Sequence, residues 1–121
     1  MTKILLIEDD IWLAGLEAES LERAGFACVT VSNGEQAMEM IDADAPDVIV
    51  ADMLLTNGTI LTLLHELRTY KDTATIPVVL CTNLAADIDE AQLKHYGVRR
   101  VVDKTTMRPD DLVAAVRSVL P

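Results

Sequence analysis

A five-fold alternation of short apolar runs with longer segments of helical period restricts this chain more than any other feature. The runs cover residues 4–7, 27–31, 48–51, 78–81 and 98–102. Most are rich in Val, Ile or Leu, and apolar at consecutive positions rather than at every second one. That pattern belongs to strands covered on both faces, as in a parallel sheet with helices on either side. The intervening segments carry helical spacing. Leu13, Leu16, Leu21 and Ala24 share one face of a first helix, which Gly25 is placed to end. Asn33, with Gln36 three residues on, starts a second helix carrying Ala37, Met38 and Ile41. Ile60, Leu63, Leu64 and Leu67 mark a third. A fourth spans 86–96 and stops at Gly97. Pro109, a favoured first helical residue, opens a fifth with Leu112, Val113, Val116 and Leu120. The alternation predicts an α/β fold, a doubly wound five-stranded parallel sheet flanked by five helices. No linker divides residues 1–121, which read as one domain.

Composition narrows the function classes. Half of the 121 residues are hydrophobic, enough for a core without disulfides or a structural metal. The formal net charge of −10 repels nucleic acid, and 3% aromatic content leaves no base-stacking surface. No nucleic-acid partner is therefore expected. Cys28 and Cys81 sit inside apolar runs with neither CxxC nor zinc spacing, and read as buried free thiols. The apolar run at the N-terminus is too short for a signal peptide, and no run is long enough to span a bilayer. A soluble cytoplasmic protein without a membrane partner is expected. In such a chain the glycosylation-like triplet Asn57-Gly58-Thr59 is without consequence.

In open α/β sheets, sites form at the carboxyl ends of the strands. The residues that follow the apolar runs are therefore the candidates. Glu8, Asp9 and Asp10 follow the first, Asp52 the third, Thr82 the fourth, and Asp103 and Lys104 the fifth. The first and third strands are neighbours in this topology, which puts Glu8, Asp9 and Asp52 in one acidic pocket. Carboxylates crowded together repel each other, and a hard cation with oxygen ligands, Mg²⁺ above all, relieves this. A carboxylate between a metal and a lysine is a nucleophile for phosphorus. On this reading Asp52 accepts a phosphoryl group, Lys104 offsets its charge and Thr82 donates a hydroxyl hydrogen bond. Asp10 alone reads as a helix cap. Lys104 or Thr82 alone would be an ordinary surface residue.

The stretches Ile4-Leu5-Leu6-Ile7-Glu8-Asp9-Asp10, Asp47-Val48-Ile49-Val50-Ala51-Asp52, Pro77-Val78-Val79-Leu80-Cys81-Thr82 and Val101-Val102-Asp103-Lys104 carry a resemblance. In this order and spacing they resemble the receiver domains of response regulators in two-component signalling. The resemblance covers essentially the whole chain. It implies a CheY-like, flavodoxin-like fold with strand order 2-1-3-4-5. It implies Asp52 as phosphorylation site, Asp9 as direct Mg²⁺ ligand, Glu8 as a ligand through water and the Leu54 backbone carbonyl as a further one. Thr82 becomes the switch hydroxyl and Lys104 the phosphoryl-binding lysine. The phosphoryl group would come from a histidine kinase or phosphotransfer protein. The domain would catalyse only its own phosphorylation and dephosphorylation. With no output domain after Leu120, a single-domain regulator acting through a downstream protein target is expected.

The sequence departs from that family in several places. Thr56 stands where a proline is usual, and Thr59 and Ile60 where an acidic residue and glycine open the third helix. Thr105 replaces the proline after the lysine. A non-proline cis bond costs about 2.5–4 kcal/mol, so either a trans bond with a reshaped loop or a strained cis bond is expected. Val101 replaces a rotating aromatic and has few rotamers to exchange, so switching would run through loop and helix shifts. Asn83 is large for its place and narrows phosphoryl access. Leu54 and Leu84 would exclude water and give a long-lived aspartyl-phosphate. Trp12 reads as a partly buried helix residue. Lys94, His95, Arg99, Arg100 and Arg108 form a basic face, a candidate for target contacts or a homodimer. The competing reading is a pseudo-receiver, a scaffold that works without phosphorylation. A flavin or nucleotide enzyme on the same fold is disfavoured, because Glu8-Asp9-Asp10 repels a phosphate and no glycine-rich phosphate loop is present.

Overall fold

In the computed structural model, which describes residues 1–55 and 58–121, the five expected strands pair in parallel. They are β1 (Lys3–Ile7), β2 (Ala27–Val31), β3 (Val48–Ala51), β6 (Val78–Thr82) and β7 (Val98–Asp103). Their order is β2-β1-β3-β6-β7, the expected 2-1-3-4-5 when only the strands of this sheet are counted. Two short strands, β4 (Leu54–Leu55) and β5 (Gly58–Thr59), form a separate antiparallel pair that the sequence pattern did not announce. The Thr56 replacement and the Asn57 triplet position lie outside the described residues. Among the described residues, no helix is long and apolar enough to cross a membrane.

Burial explains the strand pattern. Every residue of β3 and β6, and all of β1 after Lys3, is buried. These are the inner strands, with a neighbour on each side. The edge strands depart from the expected continuous burial. Val29 of β2 is 45% exposed, and Arg99 and Arg100 of β7 face solvent. Alternation along the inner strands sends side chains to two separate cores. Leu5, Ile7, Ile49, Ala51 and Leu80 pack with α2 (Gly34–Ala43) and α3 (Leu61–Thr69). Ile4, Leu6, Val48, Val50, Val79 and Cys81 pack with α1 (Ile11–Arg23) and α5 (Pro109–Val119). Each fully buried Leu or Ile contributes about 1.5–3 kcal/mol relative to exposure.

The helices start where the sequence indicates. Asp10 Oδ1 accepts from the backbone N–H groups of Trp12 (3.0 Å) and Leu13 (3.2 Å). Asn33 Oδ1 accepts from Gln36 N (2.9 Å), and Gln36 Oε1 accepts in return from Ser32 N (3.0 Å). Pro109 opens α5, and the Arg108 N–H donates to Asp111 Oδ2 at 2.7 Å. Such caps are worth about 1 kcal/mol each.

Two helices differ from expectation. The buried stripe of α1 is Ala14, Glu17 and Leu21, one position away from the expected Leu13–Leu16 face. Leu16 is exposed, and Trp12, expected to be partly buried, is 83% exposed. At 100° per residue, positions 12 and 16 turn away once 14, 17 and 21 face the sheet. The continuous helix expected over 86–96 is broken into a 3₁₀ turn (Ala85–Asp87), α4 (Glu90–Leu93) and a second 3₁₀ turn (Lys94–Tyr96). Ile88 is extended (φ −96°, ψ 132°), and Asp89 caps a new start by accepting from Ala91 N at 3.0 Å. An aspartate that satisfies its own backbone locally competes with helix continuation.

Gly97 ends this segment in the left-handed region (φ +84°). A Cβ there would meet Ile76 O at 3.6 Å, ordinary contact, so only the dihedral preference opposes a side chain. Gly97→Ala should therefore destabilise by about 1–2 kcal/mol, read as a lower denaturant midpoint by circular dichroism. An unchanged midpoint would show that this turn does not hold its conformation.

Candidate functional site at the strand ends

Ile7 of β1 pairs in register with Ala51 of β3, so the residues that follow, Glu8 and Asp52, emerge side by side. Thr82 ends β6 opposite Asp103 of β7, and Lys104 comes next. The Lys104 backbone N–H donates to Thr82 O at 3.0 Å, which turns the lysine back over the sheet edge. Its Nζ donates to Glu8 Oε2 at 2.5 Å and to Asp52 Oδ2 at 2.8 Å. The three side chains are 5%, 3% and 15% exposed, in the order Lys104, Glu8, Asp52. Glu8 Oε1 also accepts from Asp10 N at 3.2 Å. Thr82 is buried, and its Oγ1 accepts from Leu84 N at 3.1 Å, leaving the hydroxyl hydrogen to be donated elsewhere.

Burial alone would favour a neutral Lys104, but hydrogen bonds to Asp52 and Glu8 and their charges outweigh it and hold the ammonium above the ordinary lysine range. Burial likewise raises Glu8, against the lowering contacts from Lys104 and the Asp10 N–H. One ammonium thus bridges two carboxylates, cancelling one of their two charges, where they would otherwise confront each other with little water between them. Removing one member of such a buried cluster is far more disruptive than removing an exposed pair.

Of the sequence candidates, Glu8, Asp52 and Lys104 are in direct contact, and Thr82 stands at the neighbouring strand end. Asp9 is half-buried beside Glu8. Leu54 lies two residues past Asp52, in β4, with its side chain 51% exposed. Among the described residues, no three Asp, Glu, His or Cys side chains gather closely enough to hold a metal ion. The Lys104 ammonium holds Glu8 and Asp52 in its place. By chemistry the donors still suit a hard divalent cation. They are carboxylate oxygens, and two of them, one from Glu8 and one from Asp52, bond a single ammonium.

The surrounding loops resolve several expectations. The Lys104–Thr105 peptide is trans, since no cis bond occurs among the described residues. The loop is instead shaped by Asp103, whose Oδ1 accepts from Thr105 N (2.9 Å) and Thr105 Oγ1 (2.6 Å). Val101 is half-buried against the α2/α3 core, Asn83 is exposed and Leu84 half-buried. His95, Arg99 and Arg108 border three different grooves: His95 one with His65 and Arg68, Arg99 one with Ser118 and Pro121, and Arg108 one between α1 and α5. Arg99 and Arg100 remain adjacent and exposed on the edge strand, where a register irregularity interrupts pairing between Val78 and Val79.

Glu17 is a functional candidate that the motif reading missed. It is 3% exposed on the inner stripe of α1, and its Oε1 accepts from Cys81 Sγ at 3.9 Å. Burial pushes its carboxyl up to about 7; Lys104 opposes this, and Glu8 and Asp52 add to it. The Cys81 thiol is pushed up to about 12, by burial first and by Glu17 second. Cys28, half-buried at an edge strand where full burial was expected, rises to about 11, by burial and then Glu22, so both thiols are free and neutral. The spacing 14, 17, 21 is a helix stripe. An acid in its middle was the signal that could have found Glu17.

A family model described as response regulator receiver domain matches residues 4–117. The transcriptional regulatory protein CpxR of Escherichia coli is 31% identical over 122 residues, covering 99% of this chain and 50% of that protein. The chain spans about half the length of the curated relatives it matches. The chemotaxis protein CheY4 of Vibrio cholerae has a similar structure, with TM-score 0.90 and 22% identity over 99% of each chain. So does the response regulator TrrA of Thermotoga maritima, solved in complex with Mg²⁺-BeF. Its TM-score is 0.84 and its identity 23%, covering 99% of this chain and 100% of that one.

The buried Glu17 gives stability a definite pH dependence. Its folded value is raised to about 7 from an ordinary 4.5, so the folded state keeps a proton that the unfolded chain releases. This contribution is complete below about 4.5 and is lost as pH rises to about 7. Glu17→Gln, which mimics the protonated acid, should stabilise the protein by on the order of 3 kcal/mol above neutrality, with the difference vanishing towards acid pH. Urea unfolding at several pH values measures this. A pH-independent difference would contradict the assignment.

Proposed function

The chain belongs to the response regulator receiver domain family, and from that membership we propose that it accepts a phosphoryl group on Asp52, with Mg²⁺ bound, from a histidine kinase or phosphotransfer protein. One observation supports this reading most. Asp52 lies at the carboxyl edge of the sheet with an ammonium 2.8 Å from its Oδ2. In the proposed transfer an Asp52 carboxylate oxygen forms the new O–P bond while the donor's P–N bond breaks. The imidazole leaves with the electron pair. Lys104 offsets charge on the transferred group, and the Thr82 hydroxyl supplies a hydrogen bond. Glu8, Asp9 and Asp52, with the Leu54 carbonyl, would hold the cation. When bound, it would supply further charge compensation at the phosphoryl oxygens. The similar structure carrying Mg²⁺-BeF is consistent with this chemistry at the level of the fold.

Lys104 has a second consequence. It already bonds both Glu8 and Asp52, so adding negative charge at Asp52 must redistribute its contacts. With Val101 in place of an aromatic, the response is proposed to travel through the β4–β5 pair and the fragmented α4 region. Exposed Leu54, two residues after Asp52, and half-buried Leu84, two after Thr82, offer no polar group to order an attacking water, and slow loss of the phosphoryl group is proposed on that ground. Output is proposed to run through docking of a protein target or a second copy at the exposed Arg99 and Arg100. The net charge of −10 opposes nucleic-acid contact by these residues. A scaffold that needs no phosphorylation is the second reading. It draws on the same ion cluster, which satisfies two acids of the site without a metal.

Incubation with Mg²⁺ and acetyl phosphate should add one phosphoryl group by intact mass, absent in Asp52→Asn and absent without the metal. No gain, together with no Mg²⁺ binding by calorimetry, would favour the scaffold. If the edge arginines carry self-association, sedimentation of the phosphorylated protein should show a dimer that Arg99→Glu with Arg100→Glu dissolves. An undisturbed dimer would exclude them.

A further inference from the structure

Glu17 takes no part in the proposed phosphoryl transfer, yet its place in the fold is not neutral with respect to it. We propose that Glu17 is a proton-binding residue charge-coupled to the Asp52–Lys104 cluster, so that placing negative charge on Asp52 draws a proton onto Glu17. The function of this coupling rests on Asp52 as phosphoacceptor. The coupling itself rests on geometry.

That geometry has three parts. Glu17 is 3% exposed in the core between α1 and α5, and among the described residues it forms no ion pair. Its Oε1 reaches Cys81 Sγ at 3.9 Å, and Cys81 immediately precedes Thr82 at the end of β6. The carboxyl therefore sits beneath the strand ends that carry the site above. Its path to solvent is a groove of about 630 Å³ between α1 and α5, which Glu17 lines together with Leu13, Leu16, Met107 and Leu112.

The groups facing Glu17 fall into two sets. Glu19 and Arg23 on α1, and Arg108, Asp110 and Arg117 on or beside α5, border the groove and are exposed, so water and salt screen them. Toward the interior, Glu17 touches Cys81, the next residue is Thr82, and the Thr82 carbonyl accepts from Lys104 N at 3.0 Å, which sets the Lys104–Glu8–Asp52 cluster close by where screening is weak; the Cys81 thiol is uncharged at neutral pH. The cluster carries two negative charges and one positive. With Mg²⁺ present before and after transfer, a phosphoryl group on Asp52 still adds negative charge to the cluster, favours the neutral form of Glu17 and takes up a proton from solvent through the groove. By reciprocity, acid favours phosphorylation and alkali opposes it.

The test begins without any phosphodonor. Carboxyl NMR of the full chain would follow the titration midpoint of Glu17 in wild type, Asp52→Asn and Lys104→Met. Removing the Asp52 charge should lower the midpoint by about half a pH unit or more, and removing the Lys104 charge should raise it. If Lys104→Met fails to fold, Asp52→Asn decides alone. A midpoint that Asp52→Asn leaves unmoved would overturn the coupling. The second readout is acetyl phosphate labelling with Mg²⁺ from pH 6 to 8. The phosphorylated fraction of wild type, relative to Glu17→Gln, should fall about threefold over that range, as a half-unit coupling implies. A constant ratio would overturn the functional link. Absence of labelling at every pH would remove the phosphoacceptor reading, and the NMR midpoints would still judge the coupling.

Discussion

The Lys104 ammonium, clasped between Glu8 and Asp52, is the contact around which the carboxyl edge of the sheet is organised. Glu8 follows β1, Asp52 follows β3, and Lys104 follows β7, so one side chain ties together strands that are 44 and 96 residues apart from Glu8 in sequence. The parallel register makes this reach available. It sets the first two acids side by side, and the hydrogen bond from Lys104 N to Thr82 O turns the lysine over them. Without the ammonium, two nearly buried carboxylates would confront each other. With it, the edge is neutral enough to be buried and acidic enough to attract a cation.

That balance is set against two cores of different character. On the α2/α3 side Leu5, Ile7, Ile49 and Leu80 of the inner strands meet apolar helix residues such as Ile41 and Leu64. The α1/α5 side contains Cys81 and, packed on it, Glu17. A carboxyl in that second core weakens the fold at neutral pH. Its retention there gives the electrostatics of the site a partner on the other side of β6. Stability and charge response are thus two readings of one buried acid.

Much of this was legible in the sequence, for reasons that differ by element. The inner strands were visible because burial on both faces forces consecutive apolar residues, as in 48–51. The meeting of Glu8 and Asp52 was legible because the topology places strand-end residues together, whatever their distance in sequence. The α1 face was misplaced because Leu16 looked like core and Glu17 did not. Hydrophobicity outranked phase, and the phase was right. The fourth helix is shorter than its apolar spacing suggests because Asp89 caps a new start in the middle of the segment. The Lys104–Glu8 contact could not be read, since it depends on how far a flexible side chain folds back. Nor could the trans Lys104–Thr105 bond, which follows from Asp103 taking over the turn.

Trp12 is the only tryptophan, and it is 83% exposed at the first turn of α1. Its indole already meets water in the native state, so unfolding scarcely changes its surroundings. Intrinsic emission is therefore nearly blind to loss of either core in this protein. A flat emission trace on heating would describe the indole rather than the fold. The same exposure leaves the indole free to respond to an arriving quencher or docking surface, which makes it a reporter of encounter instead of collapse.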